Sequence, residues 1–232
     1  MDMSISFTLN GVEKTINSTI VNTWIIVIFL SIAFILIGRK FKKMSIKDKP
    51  KGIYHVAEIF IEAIDNLTTS TMGKSNIGFA PYIATLAIFL AFANLLGLVG
   101  LKPPTSDYNV TLTLALITVF LIHFNNIRFN GAKNYVKGYF EPMPVLFIIN
   151  LLGELATPIS MSFRLLGNIL TGVILMTLVY SVFNGFLVIL APFVTPVLHA
   201  YFDVFSGLLQ TFIFVMLTMV FISNGIGDRE EI

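Results

Sequence analysis

The stretch VLFIINLLGELATPISMSFRLLGNILTGVILMTLVYSVF, residues 145–183, decides the fold. It is apolar at most positions, contains no convincing turn signal and carries Arg164 near its middle. As one helix it would be about 58 Å long, whereas the hydrocarbon core of a bilayer is about 30 Å thick. We therefore predict a single tilted membrane helix, kinked near Pro158, in preference to a tight hairpin.

The composition supports a membrane protein. The 232 residues are 56% hydrophobic and 12% charged, with a mean hydropathy of +0.85, whereas soluble domains are about 25% charged. There is no cysteine, which excludes disulfides, thiolate catalysis and zinc–sulfur sites. The N-terminal segment resembles neither a signal peptide nor a transit peptide. We therefore expect the first apolar run to remain in the mature protein.

Four further apolar runs are long enough to cross a membrane. They cover residues 19–38, 81–101, 110–127 and 186–223. Lys102-Pro103-Pro104 ends the second run, and Asn184-Gly185 forms a turn before the last run, which Pro192 and Pro196 interrupt. We predict one membrane domain, an all-α integral membrane protein with about five membrane helices, the last two long and tilted.

The basic residues predict the orientation. Eight Lys or Arg residues lie within 39–75 and three within 128–141, whereas the opposite side has only Lys14 and Lys102. The positive-inside rule then places residues 1–18 outside the membrane and residues 224–232 in the cytoplasm. Five crossings agree with this alternation.

The segment between the first two spans has the pattern of an amphipathic helix. Apolar residues recur at helical spacing at Ile53, Val56, Phe60, Ile64 and Leu67. A second face carries His55, Glu58, Glu62 and Asp65. We predict a helix lying on the cytoplasmic membrane surface; an ordinary solvated connector is the alternative.

Arg164 is the most informative polar residue. A central arginine in a bilayer costs roughly 2.5 kcal/mol or more, and such residues usually face a cavity or a partner. The guanidinium does not lose its proton in proteins, so it is a fixed positive charge. The structural alternative is an intramembrane ion pair with Glu154 or Asp203.

Two polar stripes accompany it. One helical face carries Thr157, Arg164, Asn168 and Thr171, with Glu154 about 15 Å toward the cytoplasm. The last span carries a second stripe, His199, Asp203, Ser206 and Gln210. Such columns line water-filled or proton-relay paths, although a structural His199 and a Gln210 that only links helices remain alternatives.

Other features have ordinary explanations. Asn94 and residues 123–126 suit interhelical hydrogen bonds, Asp107 suits a solvated loop, and Gly167 and Gly172 suit close helix packing. We find no nucleophile–base pair, phosphate-binding loop or metal-ligand cluster, and expect no catalytic residue, cofactor or metal. The residues alone predict an ion-conducting membrane subunit with a central arginine.

Three ordered motifs resemble subunit a of F-type ATP synthases. They are PISMSFRLLGNILTG (158–172), FANLLGLV (92–99) followed by PPTSDYNVTLTLAL (103–116), and LLQTFIFVMLTMVFIS (208–223). The resemblance implies a non-catalytic stator channel in which an arginine separates two aqueous half-channels to the carboxylates of a rotating ring. The implied partners are the ring of subunit c, subunit b of the peripheral stalk, the other synthase subunits and the bilayer, with no nucleic acid. Together with the composition it implies a bacterial plasma membrane.

The resemblance also assigns residues. Arg164 matches the family arginine, with Asn168 and Gln210 as polar neighbours, Asp203 in the outer half-channel and Glu154 in the cytoplasmic one. Two further matches, at the mouth of the outer half-channel, are Thr105 and Asp107.

Two positions depart from relatives. Val173 stands where some relatives have an ionisable residue, so the outer relay would depend more on Asp203 or on water. Asn150, one turn before Glu154, stands where other relatives place the cytoplasmic acid. The choice between H⁺ and Na⁺ is not readable from the sequence. The alternative function is a self-contained secondary transporter, which would predict internal repeats or paired broken helices; a purely structural scaffold is a third hypothesis.

Overall fold

The computed structural model of this chain describes residues 5–9, 12–44, 50–140, 143, 145–183 and 189–226. Its strands and helices, in chain order, are β1 Ile5–Leu9, β2 Val12–Ile16, α1 Ser18–Phe41, α2 Ile53–Met72, α3 Ala80–Leu95, α4 Tyr108–Asn130, α5 Ala132–Gly138, α6 Leu146–Val182, α7 Ala191–His199 and α8 Ser206–Ile226. Short 3₁₀ segments lie at Lys74–Phe79, Leu96–Val99 and Pro104–Ser106. A π-helical turn at Ala200–Phe205 joins α7 to α8.

Five helical segments are long and apolar enough to cross a membrane, which confirms the predicted all-α membrane fold. They are Ser18–Phe41, Lys74–Val99, Tyr108–Asn130, Phe147–Val182 and Ala191–Ile226. The last two have 36 residues each, about 54 Å of helix, so they must tilt or extend beyond a hydrocarbon core of about 30 Å.

The long helix α6 is continuous through Pro158, as predicted, and the hairpin alternative is therefore wrong. Proline has no N–H, so the carbonyl of Glu154, four residues earlier, has no helical donor. Some predicted features lie outside the described residues: the Asn184-Gly185 turn, Lys47 and Lys49, and residues 227–232.

A two-stranded hairpin precedes the first span and was not predicted. Strands β1 and β2 pair antiparallel, with Ile5 opposite Ile16 and Leu9 opposite Val12. The intervening Asn-Gly sequence is typical of a two-residue hairpin turn, which is the signal that could have indicated this element.

The core lies where α3, α4 and α6 surround α8. Its fully buried side chains include Ile83, Leu90, Leu165, Phe214 and Met219. Helix α1 lies at the periphery and packs on α3 through Ile26, Leu30 and Ala93. Its outer face is exposed and apolar, a surface suited to lipid.

Helix α2 forms where the amphipathic pattern predicted a helix. Ile64, Thr68 and Met72 are buried, and α2 packs against α3 and α8. The ionisable residues His55 and Glu58 are exposed. Of the predicted apolar face only the C-terminal part is covered, since Ile53 and Val56 are exposed.

Two glycines have clear structural roles. Gly131 adopts a positive φ of 79°, ends α4 and turns the chain into α5, which brings α5 back beside α4. At Gly207, an added Cβ would lie 3.3 Å from the Cβ of Asn94, so α8 and α3 approach closely there. The predicted close packing at Gly167 is not found, since a Cβ there would meet no described atom within 4 Å; Gly172 has an ordinary contact with Phe202.

Candidate ion-translocation site

Helices α6 and α8 hold the polar stripes against each other. Ser206 donates a hydrogen bond to Oδ1 of Asn168 (2.6 Å), and Nδ2 of Asn168 donates to the Ser206 carbonyl (3.4 Å). Gly172, one turn further along α6, lies against Phe202, so the two contacts together define an antiparallel register. Moving four residues the other way along both helices brings Arg164 level with Gln210.

Arg164 is exposed and, in the described part of the chain, forms no hydrogen bond or ion pair. The alternative in which it pairs with Glu154 or Asp203 is therefore wrong for this structure. Gln210 is 6% exposed, and its Nε2 has no described hydrogen-bond partner. The site thus presents an unpaired cation and a buried amide donor at the same level.

An imidazole and a carboxylate lie on the side of Asn168 away from Arg164. Nδ1 of His199 is 2.5 Å from Oδ2 of Asp203, and its Nε2 is 2.7 Å from the Tyr180 hydroxyl. His199 ends α7, and Asp203 lies in the π-helical turn that follows. Single π turns often occur at functional sites. The predicted polar column of the last span is therefore joined to α6 through Tyr180.

These residues line a cavity of about 320 Å³, the Asp203 cavity. Its walls come from Asn94 and the 97–103 segment, from α6 between Asn168 and Tyr180, and from His199 with the π turn. Asn168, His199 and Asp203 all reach it, and so does Val173. The cavity therefore extends from the Asn168–Ser206 pair to the end of α7.

A second polar cluster surrounds Glu154 at the other end of α6. Oε1 of Glu154 is 3.7 Å from Nδ1 of His123 and 3.5 Å from the Tyr135 hydroxyl. Tyr135 is also 3.0 Å from Nδ1 of His123 and 2.5 Å from the Tyr139 hydroxyl. Burial, and then the hydrogen bonds and the negative charge of the carboxylate, raise the pKa of Tyr139, and burial raises the pKa of Tyr135. Both phenols therefore stay neutral and keep their protons.

Two cavities meet at Glu154. The Glu154 vestibule, about 1130 Å³, opens between α5 and the ends of α4 and α6 and is lined by Tyr135 and Tyr139. The His123 cavity, about 240 Å³, reaches one turn further along the helices and is lined by His123. Glu154 and Thr157 line both.

Thr105 and Asp107 have structural contacts and do not line the Asp203 cavity. Thr105 is buried and donates to Oδ1 of Asn94 (2.9 Å), whose Nδ2 donates to the Gly207 carbonyl (3.1 Å). Asn94 is thus the interhelical link that the sequence suggested.

The prediction of Asp107 as a solvated loop acid is wrong. Asp107 caps α4, with Oδ1 accepting from the Asn109 N–H (2.9 Å), and Oδ2 accepts from Thr19 (2.9 Å) and Asn17 (3.3 Å). It therefore fastens the start of α1 to the start of α4.

Sequence reasoning missed three tyrosines of the site. Tyr135 lies on α5 and Tyr139 directly follows it; the helix is too short for a hydropathy signal, although the spacing of four places the two side chains on one side. Tyr180 is the hydroxyl-bearing aromatic near the end of an otherwise aliphatic run.

The two threonines of the predicted α6 stripe have different surroundings. Thr171 is exposed, and Thr157 donates to the Gly153 carbonyl (3.0 Å).

Comparison with known proteins identifies the family. Residues 20–223 match the model of the ATP synthase A chain. The chain is 35% identical over 210 residues to ATP synthase subunit a of Moorella thermoacetica, covering 90% of each protein. It is 34% identical over 229 residues to the sodium ion specific ATP synthase subunit a of Propionigenium modestum, covering 91% of this chain and 75% of that one. It is 38% identical over 187 residues to the Sulfurihydrogenibium subunit a, covering 78% of this chain and 86% of that one. This chain therefore belongs to the ATP synthase A chain family, the family of ATP synthase subunit a.

Proposed function

We propose that this chain is the stator ion channel of a bacterial F-type ATP synthase, with Arg164 between an access path through the Asp203 cavity and another through the Glu154 vestibule. The observation that carries the proposal is the position of an unpaired guanidinium between two polar cavities. Along α6, Thr157 borders one and Asn168 borders the other, and Arg164 lines neither. About 16 Å of helix separates the two.

An exposed arginine suits a partner that brings a carboxylate. The side chains around Arg164 on α6 include the exposed Ile159, Phe163 and Leu170, an apolar surface that fits the helices of a subunit c ring. As a ring carboxylate passes Arg164, the fixed positive charge would attract the carboxylate. The carboxylate would then release its bound ion into one of the two paths. The membrane potential contributes about 2.3 kcal/mol per charge per 100 mV. The chain itself carries out no bond chemistry.

The orientation is also a proposal, with the N-terminus outside and the C-terminus in the cytoplasm. The contact of Thr19 with Asp107 puts the first turns of α1 and α4 together. The basic ends of the same helices, with Arg39, Lys40 and Arg128, therefore lie at the opposite end. Basic residues on one side mark the cytoplasmic face. The Glu154 vestibule would therefore open to the cytoplasm and the Asp203 cavity to the outside.

The transported ion is H⁺ or Na⁺ in this proposal. One relative is named as sodium ion specific, whereas both polar clusters contain imidazole and hydroxyl groups that transfer protons. Subunit b of the peripheral stalk and the remaining synthase subunits complete the proposed partners.

Sided chemical labelling tests the two paths. Because the chain has no cysteine, single cysteines can be placed at Asp203 and Thr157 in the assembled complex and treated with a membrane-impermeant thiol reagent in vesicles of each orientation. We expect Asp203→Cys to react from outside and Thr157→Cys from the cytoplasmic side. Leu165→Cys, at a buried position, is the matched control and should react from neither. Reaction of both test positions from one side would contradict two separate paths.

A further inference from the structure

The cluster around Glu154 contains a second titratable group that faces away from the vestibule. His123 lies on α4, and its Nδ1 is 3.7 Å from Oε1 of Glu154. The side chains are 29% and 33% exposed respectively, so both are partly hydrated and neither is sealed in an apolar core. Because 3.7 Å is longer than a hydrogen bond, the carboxylate and the imidazole need a bridge to exchange a proton. The Tyr135 hydroxyl, 3.0 Å from Nδ1 of His123 and 3.5 Å from Oε1 of Glu154, or a bridging water can supply it.

The cavities give this pair a direction. Of these two cavities, Tyr135 and Tyr139 line the Glu154 vestibule, His123 lines the His123 cavity, and Glu154 lines both. The His123 cavity also contains Thr157 and reaches Val119, one turn of α4 closer to the level of Arg164. The imidazole is therefore located where ions that pass the carboxylate continue toward the centre of the membrane.

The two nitrogens of His123 have different surroundings. Nδ1 faces Glu154 and Tyr135, whereas Nε2 has no hydrogen-bond partner within the described residues. A neutral imidazole accepts a proton on one nitrogen and releases one from the other, and histidine is the side chain whose charge ordinarily changes between pH 5 and 8. The other ionisable groups around it are Tyr135 on α5, Tyr139 just after α5, and Glu154 on α6, while α8 contributes the uncharged Asn224.

We propose that His123 is a proton-relay residue of the cytoplasmic path, and that the ion carried there is H⁺. The proposal rests on the access path through Glu154 described above. In the synthesis direction, a proton released into the His123 cavity binds Nε2. The imidazolium then passes its Nδ1 proton through the Tyr135 hydroxyl or a water to the Glu154 carboxylate, and the carboxylic acid releases it to water in the vestibule. In hydrolysis the same transfers run in reverse. No charge remains after one transfer, but the imidazole proton has moved from Nδ1 to Nε2, so proton exchange with water must restore the Nδ1–H tautomer before the next transfer.

Tyr135 acts as a positioning residue in this scheme. Because its phenol stays neutral, it can donate to the carboxylate or to Nδ1 of His123 and hold the two groups in reach of each other. In a purely structural explanation, His123 only holds α5 against α4 through its contact with Tyr135. The two explanations differ in whether an external imidazole can replace the side chain.

The experiment measures proton flux driven by an imposed potential in vesicles that contain the whole complex. Three variants are compared with wild type: His123→Gln, Tyr135→Phe and Glu154→Gln. We expect His123→Gln to lower the flux about tenfold, which is less than the largest contribution of a positioned proton-transfer group. Imidazole added on the cytoplasmic side should restore the flux. Tyr135→Phe should lower the flux less. His55→Gln, on the exposed face of α2, is the matched control. Its flux should equal that of wild type, and added imidazole should not change it.

Each other result overturns the relay. If Glu154→Gln lowers the flux but His123→Gln does not, the Glu154 path stands and the relay is wrong. If His123→Gln lowers the flux and imidazole does not restore it, the residue is structural. A flux carried by Na⁺ excludes the relay as well. If Glu154→Gln itself conducts like wild type, the proposed cytoplasmic path fails first and the relay fails with it.

Discussion

Ser206 on α8 and Asn168 on α6 are joined by a hydrogen bond of 2.6 Å, and this pair aligns the two helices that carry the site. One turn toward the N-terminus of α6 lies Arg164, level with Gln210 of α8. The Asp203 cavity lies in the opposite direction, toward the C-terminus of α6. Because Asn168 itself lines that cavity, the pair forms the boundary between the cavity and the level of the arginine. Small changes at this pair should therefore affect both the packing and the ion path.

Removing the Ser206 hydroxyl tests this boundary. Ser206→Ala leaves Oδ1 of Asn168 without its donor, which should cost about 0.6–1 kcal/mol of helix association. We expect a lower temperature for loss of the subunit from the detergent-solubilised complex and a partial loss of ATP synthesis. Ser223→Ala, on the same helix, is the control because Ser223 has no described side-chain hydrogen bond. Equal behaviour of the two variants would contradict a special role for the pair.

The Asp203 cluster should carry ions on the outer side. Asp203→Asn keeps the shape of the side chain but cannot take up a proton, so we expect ion flux to fall by about tenfold or more. Tyr180→Phe removes only the hydroxyl that contacts Nε2 of His199 and should have a smaller effect. The measurement is flux in vesicles at a series of external pH values. Wild-type flux in Asp203→Asn at every pH would show that the cavity is not the path.

Asp107 should matter for assembly more than for conduction. Asp107→Ala removes the cap of α4 and the acceptor for Thr19, which should cost about 1 kcal/mol from the cap alone. We expect fewer complexes that contain the subunit, with normal flux per assembled complex. Asp107→Asn should be close to wild type, because asparagine also caps helices well. A reduced flux in fully assembled Asp107→Ala complexes would instead support the channel-mouth role that the family resemblance implies.

The five long segments could be predicted because hydropathy depends on composition over about 20 residues and not on contacts. The continuity of α6 also followed from the sequence, since no turn signal lies near Arg164 and one proline does not end a helix whose neighbours support it. For α6 and α8 the sequence predicts the two polar stripes but not the register between the helices. Which residues pair across the helices depends on the packing at Gly172 and Gly207.

The remaining features depend on tertiary structure. The π-helical turn at Ala200–Phe205 has no local sequence signal, yet it sets the direction of the Asp203 side chain. Helix α5 has seven residues and is too short to form alone, so its tyrosines reach Glu154 only because Gly131 redirects the chain after α4. The sequence around His123 predicts only an ordinary interhelical contact, because its partners Tyr135 and Glu154 come from distant parts of the chain.

Arg164→Ala in the whole complex tests the central claim most directly. ATP synthesis and passive ion flux are measured in the same vesicles, with Arg128→Ala as the control that removes an exposed cation at the end of α4. We expect synthesis to be lost in Arg164→Ala while the complex still assembles and passive flux persists or rises, because the fixed charge between the two paths is gone. Coupled ATP synthesis that survives the substitution would contradict the account, since Arg164 would then be a structural residue.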